Sequence, residues 1–373
     1  MVDTVKLLFP EGQYLLRNRD EFRYSSIEKG VKKYMRNPSA SELKFGIYLP
    51  RITLIQRPTR YGIKEELAVE FSAPKLVFGN NFDELFDDNF ELVIDKLIVA
   101  LRYLGINILR HFVEQAKIVA WHPSKNIVFL DYFACSTVIN TLRKVDISLV
   151  YDIQKTDFKD GEVLHFHCNS IDIAFYDKLA DLRKGKVSDK KSTEKHNKIQ
   201  LRLFDTLKEM KPLSVLRFEI RLNGVAAVKR TFNSLTSVEL NFKNLFSSRL
   251  SQQVLLNHWQ KISRDIDYLS LDQSKPLELL ENYLSEHEDI TPQSALAALA
   301  GIYIANQVGS RQLRKVLDER FGTHVWKSLK SKMKVPDKHR YSQIIHVQEA
   351  LNNFQPTDMS ILINTKTVAI IDK

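Results

Sequence analysis

HFHCNSIDIAFYDK, residues 165–178, is the stretch on which the reading of the chain turns. Asn169 and Ser170 suit a tight turn, so the runs on either side, EVLHFHC and SIDIAFYD, read as two strands of one hairpin. Strand side chains repeat every second residue. His165 and His167 therefore share a face of the first strand, and Asp172, Ala174 and Tyr176 share a face of the second. A hairpin of this kind needs further antiparallel strands to be stable.

Those strands are legible in the surrounding sequence. LSVLRFEIRLN, residues 213–223, alternates strictly, with Val215, Arg217, Glu219 and Arg221 on one face and Leu216, Phe218, Ile220 and Leu222 on the other. One side is core and the other carries charge. Short extended runs fill the start of the chain, in DTVKLLF, FGIYLPRITLIQR and EELAVEFSAPKLVFG, punctuated by Pro10, Pro38, Pro50, Pro58 and Pro74. AKIVAWHPSKNIVFL predicts another strand, and YFACSTVINTLRKV a helix. In NNFDELFDDNFELVIDKLIVALRYLGI, the spacing of Phe82, Leu85, Phe86, Phe90, Val93, Ile94, Leu97 and Leu101 predicts a helix ending before Gly105.

Beyond residue 240 the pattern becomes helical, in SRLSQQVLLNHWQKIS, PLELLENYLSEH, TPQSALAALAGIYIAN and SRQLRKVLDERFG. Thr291 and Pro292 fit an N-cap and first helical position. The last two helices, joined through Gly309 and Ser310, match either a helix-turn-helix outline or a packed helical hairpin. In the first case Arg311, Arg314 and Lys315 begin the helix that would contact DNA. The fold expected is α+β, with an antiparallel-sheet domain over residues 1–235 and a helical accessory or DNA-binding domain over 236–373. Trp121, Trp259 and Trp326 are expected in the core or an interface, and the Lys-rich run 184–198 on a solvated surface.

The chain has 373 residues, with 55 Lys plus Arg against 45 Asp plus Glu, a formal charge of +10. That balance attracts polyanions, nucleic acid first, although a basic enzyme without such a partner has the same charge. The only cysteines are Cys135 and Cys168, which excludes a disulfide framework and a Cys-rich zinc site. MVDTVKLLFPEGQYLL lacks the pattern of a signal peptide, and no later run has the apolar length of a membrane span. A soluble protein of a reducing cytoplasm is expected.

The candidate chemistry lies on the polar faces. Two imidazoles side by side can supply two ligands to a divalent metal. A tyrosine hydroxyl is a poor nucleophile near neutral pH, so attack on a phosphodiester needs the developing charge stabilised. Glu219 is a candidate ligand and Arg217 and Arg221 candidate phosphate grips. A ladder of surface salt bridges would produce the same pattern. The histidines could equally bind phosphate or orient Tyr176, and Lys178 could stabilise a phenolate.

MVDTVKL at the start, LAVEFSAPKLVFGNN at 67–81, IAFYDKLADL at 173–182 and LSVLRFEIRL at 213–222 together carry a family likeness. In these segments the chain resembles phage and plasmid replication proteins of the filamentous-phage gene II/X type, which initiate rolling-circle replication. The resemblance spans residues 1 to about 230, and FYDK followed by RFEIRL is its most specific part. It implies a ferredoxin- or RRM-like nickase core, with the helical module after it. It also implies nicking and religation of one origin strand through a phosphotyrosine on Tyr176, with Glu219 as the acid and acidic positions at Glu70 and Asp3. The cofactor implied is Mg2+ or Mn2+, held among Glu219, His122, His165, His167 and Glu70. Partners would be duplex and single-stranded origin DNA and a host helicase and polymerase in the bacterial cytoplasm; a homodimer is compatible with the reading.

One departure stands out. Where the family pattern has Arg-hydrophobic-Asp before SKN, this chain reads AWHPSKN, with His122 at the aspartate position. That change keeps open a non-catalytic DNA-binding regulator derived from such an initiator, and a mobilisation relaxase would have the same chemistry.

Overall fold

The computed structural model describes all of the chain except residues 184–212, 334–341 and 359–373, the short stretches 39–41, 43–47, 267–268 and 270–275, and positions 29, 132, 160, 265 and 288. The Lys-rich run 184–198 lies outside the described residues.

Among the described residues twelve strands form, numbered in chain order. They are β1 (Val2–Pro10), β2 (Tyr14–Leu16), β3 (Arg23–Glu28), β4 (Val31–Arg36), β5 (Arg51–Thr59), β6 (Gly62–Ser72), β7 (Ile106–Ile108), β8 (Lys117–Phe129), β9 (Ile153–Lys159), β10 (Val163–Cys168), β11 (Ile171–Asp177) and β12 (Ser214–Asn223). Ten of them make one sheet in the order β3-β4-β5-β6-β1-β8-β12-β11-β10-β9, antiparallel throughout, while β2 and β7 pair separately. The hairpin read from the sequence is β10–β11, turning at Asn169 and Ser170 with His165 opposite Ala174. RFEIRL lies beside it in β12, with Ala174 opposite Glu219 and Tyr176 opposite Arg217.

The alternation in these strands separates two faces. Leu216, Phe218, Ile220 and Leu222 join Leu164, Phe166, Ile173, Phe175 and Trp121 on a fully buried back face. Phe175 and Phe218 stack with centroids 4.5 Å apart, and Trp259 meets both edge-on from the helix Ser248–Ser263. The helices Phe90–Tyr103 and Ala134–Arg143 bury their apolar stripes in the same cluster. Helices on both sides of residue 235 thus share one core: Ala298, Ile302, Val347 and Leu351 belong to it together with the sheet. All three tryptophans are buried. Among the described residues, no helix is long and apolar enough to cross a membrane.

Three local expectations change. Ala73–Phe78 is a helix, not strand, because Pro74 in its first turn pre-sets φ and Gly79 caps its end at φ 72°. The predicted long helix starts only at Phe90. Ahead of it, Asn80 Oδ1 accepts from the backbone N–H of Phe82 (2.8 Å) and of Asp83 (3.0 Å), a side-chain-made turn that competes with helix. Phe82 and Leu85 are still buried, from a loop. Finally, IQKTDFK forms the edge strand β9, which polar residues on both faces had concealed.

Candidate functional site

Register places the polar side chains in rows across the front of the sheet. His165, Ala174, Glu219 and Ser124 are successive partners from β10 to β8, and Tyr176, Arg217 and Asn126 form the row beside them. Asp157 of β9 lies opposite His165. Asp3 reaches the same face through a β-bulge between Val2 and Thr4 in the pairing with β8, a device that re-aims side chains. Ala174, between the histidines and Glu219, has no side chain beyond Cβ and is buried beneath its longer neighbours.

The centre is a charged cluster that is itself buried. Tyr176 donates to Glu219 Oε2 at 3.2 Å, Arg221 donates through Nε to Glu219 Oε1 at 3.0 Å, and Arg217 pairs with Asp3 Oδ2 at 2.7 Å. Arg217 also donates to the backbone oxygen of Asn81 and to Asn126 Oδ1, and Ser72 donates to Asp3 Oδ1. Arg217 and Glu219 are 1% and 4% exposed, so the charged side of RFEIRL is an enclosed network, not a surface ladder. Burial pushes the Glu219 carboxyl up, but Arg221, Arg217 and His122 outweigh it and hold the group well below the usual carboxylate range. Asp3 is lowered as well: burial pushes it up, but Arg217, Lys178 and Lys75 together outweigh burial and Glu219.

Tyr176 is half-buried, and burial and then Glu219 raise its hydroxyl well above the ordinary tyrosine value. Lys178 begins the helix Lys178–Arg183, which packs on β11 and β12. Asp177 Oδ1 accepts from the N–H groups of Leu179 and Ala180 at that helix start. The Lys178 ammonium lies 5.8 Å from the Tyr176 ring centroid. At 1% exposure, burial and then Arg217 lower its pKa to about 7. A buried amine whose charge is disfavoured therefore lies near the Tyr176 ring.

Among the described residues, one set of possible metal-ligand atoms converges: Asp157, His165 and His167 offer atoms within 4.8 Å of one another. The His165 and His167 rings are 3.8 Å apart. Asp157 Oδ2 is 2.9 Å from His167 Nε2, and Asp172 Oδ1 is 3.4 Å from His167 Nδ1. His165 Nε2 is buried without a hydrogen-bond partner, and burial and then Arg221 lower its pKa to about 4, leaving the imidazole neutral. An unprotonated, unpartnered imidazole fits a metal-binding role. Two nitrogens and a carboxylate suit a borderline divalent ion better than a hard one. Asp157 was not foreseen, since its strand gave no periodic signal.

The other expected ligands have different partners. Glu70 pairs with Lys6 at 3.3 Å and Arg51 at 2.9 Å. His122 takes up a place in the cluster, with Nδ1 3.6 Å from Glu219 Oε1 and Nε2 3.1 Å from Asn223 Oδ1. Of the three basic residues expected to contact DNA from the helical module, Arg314 instead holds Asp146 at 2.6 Å and Ser148 Oγ at 3.2 Å, which ties its helix to the sheet domain. Arg311 and Lys315 stay at the rim of a cleft of about 520 Å3 with Arg143 and Lys144. The helices Pro292–Val308 and Ser310–Phe321 meet at Gly309 alone, shorter than the three- to four-residue turn of a helix-turn-helix.

No family model, no curated protein and no solved structure matches the chain.

Proposed function

We propose that the chain nicks one strand of DNA and later reseals it, as the initiator of rolling-circle replication in a phage or plasmid. The observation that carries this reading is the contact of Tyr176 with Glu219 between two arginines, on a sheet face that also brings two histidines and Asp157 together. Tyr176 Oη attacks phosphorus, forming a 5′-phosphotyrosine; the bond to the 3′ oxygen breaks, and that oxygen leaves as a hydroxyl available to a host polymerase. Neutral Lys178 takes up the phenol proton as the oxygen bonds to phosphorus, and solvent protonates the departing 3′ oxygen. Arg221, half-buried at the rim, binds the phosphate, while buried Arg217 fixes Glu219 and Asp3. A divalent ion held by Asp157, His165 and His167 would polarise the phosphate; two imidazoles favour Mn2+ over Mg2+. In this reading β1, β8, β12, β11 and β10 are the nickase-type core.

A second reading has one observation in its favour. Both oxygens of Glu219 are engaged by Arg221, as in a structural network, and a regulator that binds origin DNA without cutting it would retain such a network. Incubating the protein and Tyr176→Phe with supercoiled DNA of its own replicon and Mn2+ separates the two. A nick with a covalent adduct, absent from Tyr176→Phe, is expected; duplex binding without any adduct favours the regulator.

A further inference from the structure

Residues 57–64, RPTRYGIK, form the outer part of the β5–β6 hairpin, and every one of them is exposed. Pairing of β4 with β5 stops at Gln56, and pairing of β1 with β6 stops at Glu66. The segment therefore projects past both neighbouring strands as a free two-stranded arm. Its turn uses Gly62 at φ 123°, and Thr59 Oγ1 donates to Gly62 O at 2.9 Å. A methyl group on Gly30, in the β3–β4 turn, would meet Pro58 Cγ at 3.6 Å, so that turn braces the arm's base.

The arm contains Arg57, Arg60 and Lys64 and no acidic residue. Glu66 at its base pairs with Arg57 at 3.2 Å and Lys64 at 3.0 Å. Arg60 has no acidic partner among the described residues and lies 4.7 Å over the Tyr61 ring. Tyr61 is 84% and Ile63 67% exposed, so neither contributes to the core. A projecting strand pair with bare apolar side chains is an aggregation hazard that folding alone does not require. Its cationic flanks and aromatic tip match a polyanion with apolar surface inside it. Two strands about 5 Å apart enter a major groove about 12 Å wide, where arginine reads guanine edges and apolar groups meet thymine methyls.

We propose that the β5–β6 arm is a duplex-DNA reader, with Arg60 and Tyr61 at base edges in the major groove and Arg57 and Lys64 on the flanking phosphates. This deepens the nicking reading and rests on its premise that the partner is DNA. Four strand steps separate β6 from β11, about 19 Å across the sheet at the usual strand spacing, and Lys64 lies eight residues along β6 from Ser72, which is level with Thr4 and His122, a further distance of about 26 Å along the strands. The arm would thus hold duplex at the far end of the sheet from the strand presented to Tyr176.

The test compares wild type with the triple variant Arg60→Gln, Tyr61→Ala, Lys64→Gln, all at exposed positions, with a urea titration of both proteins because Lys64 also pairs with Glu66. Anisotropy is measured on a labelled duplex carrying the replicon's origin and on its single strand across a salt series, with Tyr176 adducts followed on the single strand. Duplex affinity should fall about tenfold or more, and the slope of log K against log salt should shrink by about 0.9 for each phosphate the variant leaves unneutralised, with adduct formation unchanged. Unchanged duplex affinity and slope, or a wild type that binds no duplex, overturns the proposal. So does an arm that captures phosphatidylserine vesicles while leaving duplex binding unaffected. Loss of duplex binding in the variant without any adduct from wild type supports the arm and sinks the nicking reading; adducts with arm-independent duplex binding do the reverse.

Discussion

Tyr176 and Glu219 touch diagonally across two strands: Tyr176 stands opposite Arg217 and Glu219 opposite Ala174, and the phenol reaches over to Glu219 Oε2 at 3.2 Å. The diagonal passes Ala174, a buried residue whose side chain ends at Cβ. Tyr176→Phe removes only the nucleophilic oxygen. The variant should form no DNA adduct while binding DNA within a few-fold of wild type, and it should lose about 1.5 kcal/mol for a hydrogen bond to a charged group. Denaturing gels of labelled DNA and urea titration measure the two effects; an adduct persisting in the variant moves the nucleophile elsewhere.

Glu219 is enclosed by Arg217 and Arg221, so removing it strands buried cations. Glu219→Ala should destabilise the fold by about 3–5 kcal/mol, and Glu219→Gln by less, because the amide oxygen still accepts. The carboxyls of Glu219 and Asp3 are held low in the folded protein. Their stabilisation is complete above the unfolded carboxylate pKa, near 4, and is lost as pH falls toward the lower folded values. Unfolding free energy should therefore drop steeply in acid for wild type and more gently for Glu219→Gln.

Lys178 gives a trend of the same sign, displaced to neutral and alkaline pH. Its amine is lowered to about 7, so in the folded protein it loses its proton well before the unfolded chain does. Between about pH 7 and the ordinary lysine value the unfolded state binds more protons, and stability rises with pH. Adduct formation should likewise rise through pH 7 as the amine becomes a proton acceptor. In Lys178→Gln both trends should flatten; a pH profile identical to wild type would remove Lys178 from the chemistry.

Much of this arrangement is legible in the sequence, and the reason is the two-residue repeat of strands. It predicts the β10–β11 hairpin and the two faces of RFEIRL, because each strand there has one apolar face; that β12 lies beside β11, with Glu219 next to Tyr176, is a pairing no strand period encodes. β9 carries polar residues on both sides as an edge strand, so Asp157 had no period to betray it. Ion pairs such as Arg314 with Asp146 and Lys125 with Glu84 join residues 168 and 41 positions apart; no local pattern encodes them. The helix at Ala73–Phe78 was masked because APKLVF is as apolar as the strand before it, leaving only Pro74 and Gly79 as signals.

The metal reading separates two sets of residues. His167→Ala and Asp157→Asn each remove one of three converging ligand atoms and should weaken Mn2+ binding by tenfold or more. Asp172→Asn, which only orients His167, should cost less than either. Glu70→Gln and His122→Ala should leave the affinity unchanged, since Glu70 is tied to Lys6 and Arg51. Free Mn2+ followed by electron paramagnetic resonance gives each affinity directly. Loss of binding in the Glu70 or His122 variant but not in His167→Ala would relocate the ion toward Glu219.

The last prediction concerns a fragment ending near residue 235. Sequence alone suggests that such a fragment is a complete domain, since helical periodicity takes over after it. The packing argues against its independence. Trp259 from the helix Ser248–Ser263 covers the stacked Phe175 and Phe218 behind Tyr176 and Glu219. His346 lies 2.9 Å from the backbone oxygen of Val128, and Thr357 donates to Glu84 Oε2 at 2.9 Å and to the backbone oxygen of Asn126 at 3.0 Å. Each large apolar side chain uncovered costs about 1.5–3 kcal/mol. Val254, Leu255, Trp259, Ile262, Val347 and Leu351 all belong to the shared cluster, so the sum approaches the roughly 5–15 kcal/mol that holds a typical protein folded. The fragment should therefore lose its near-ultraviolet dichroism, bind a hydrophobic dye and form no adduct even on single-stranded DNA. A monomeric, folded fragment that still couples Tyr176 to DNA would show that the sheet holds its back face without the helices.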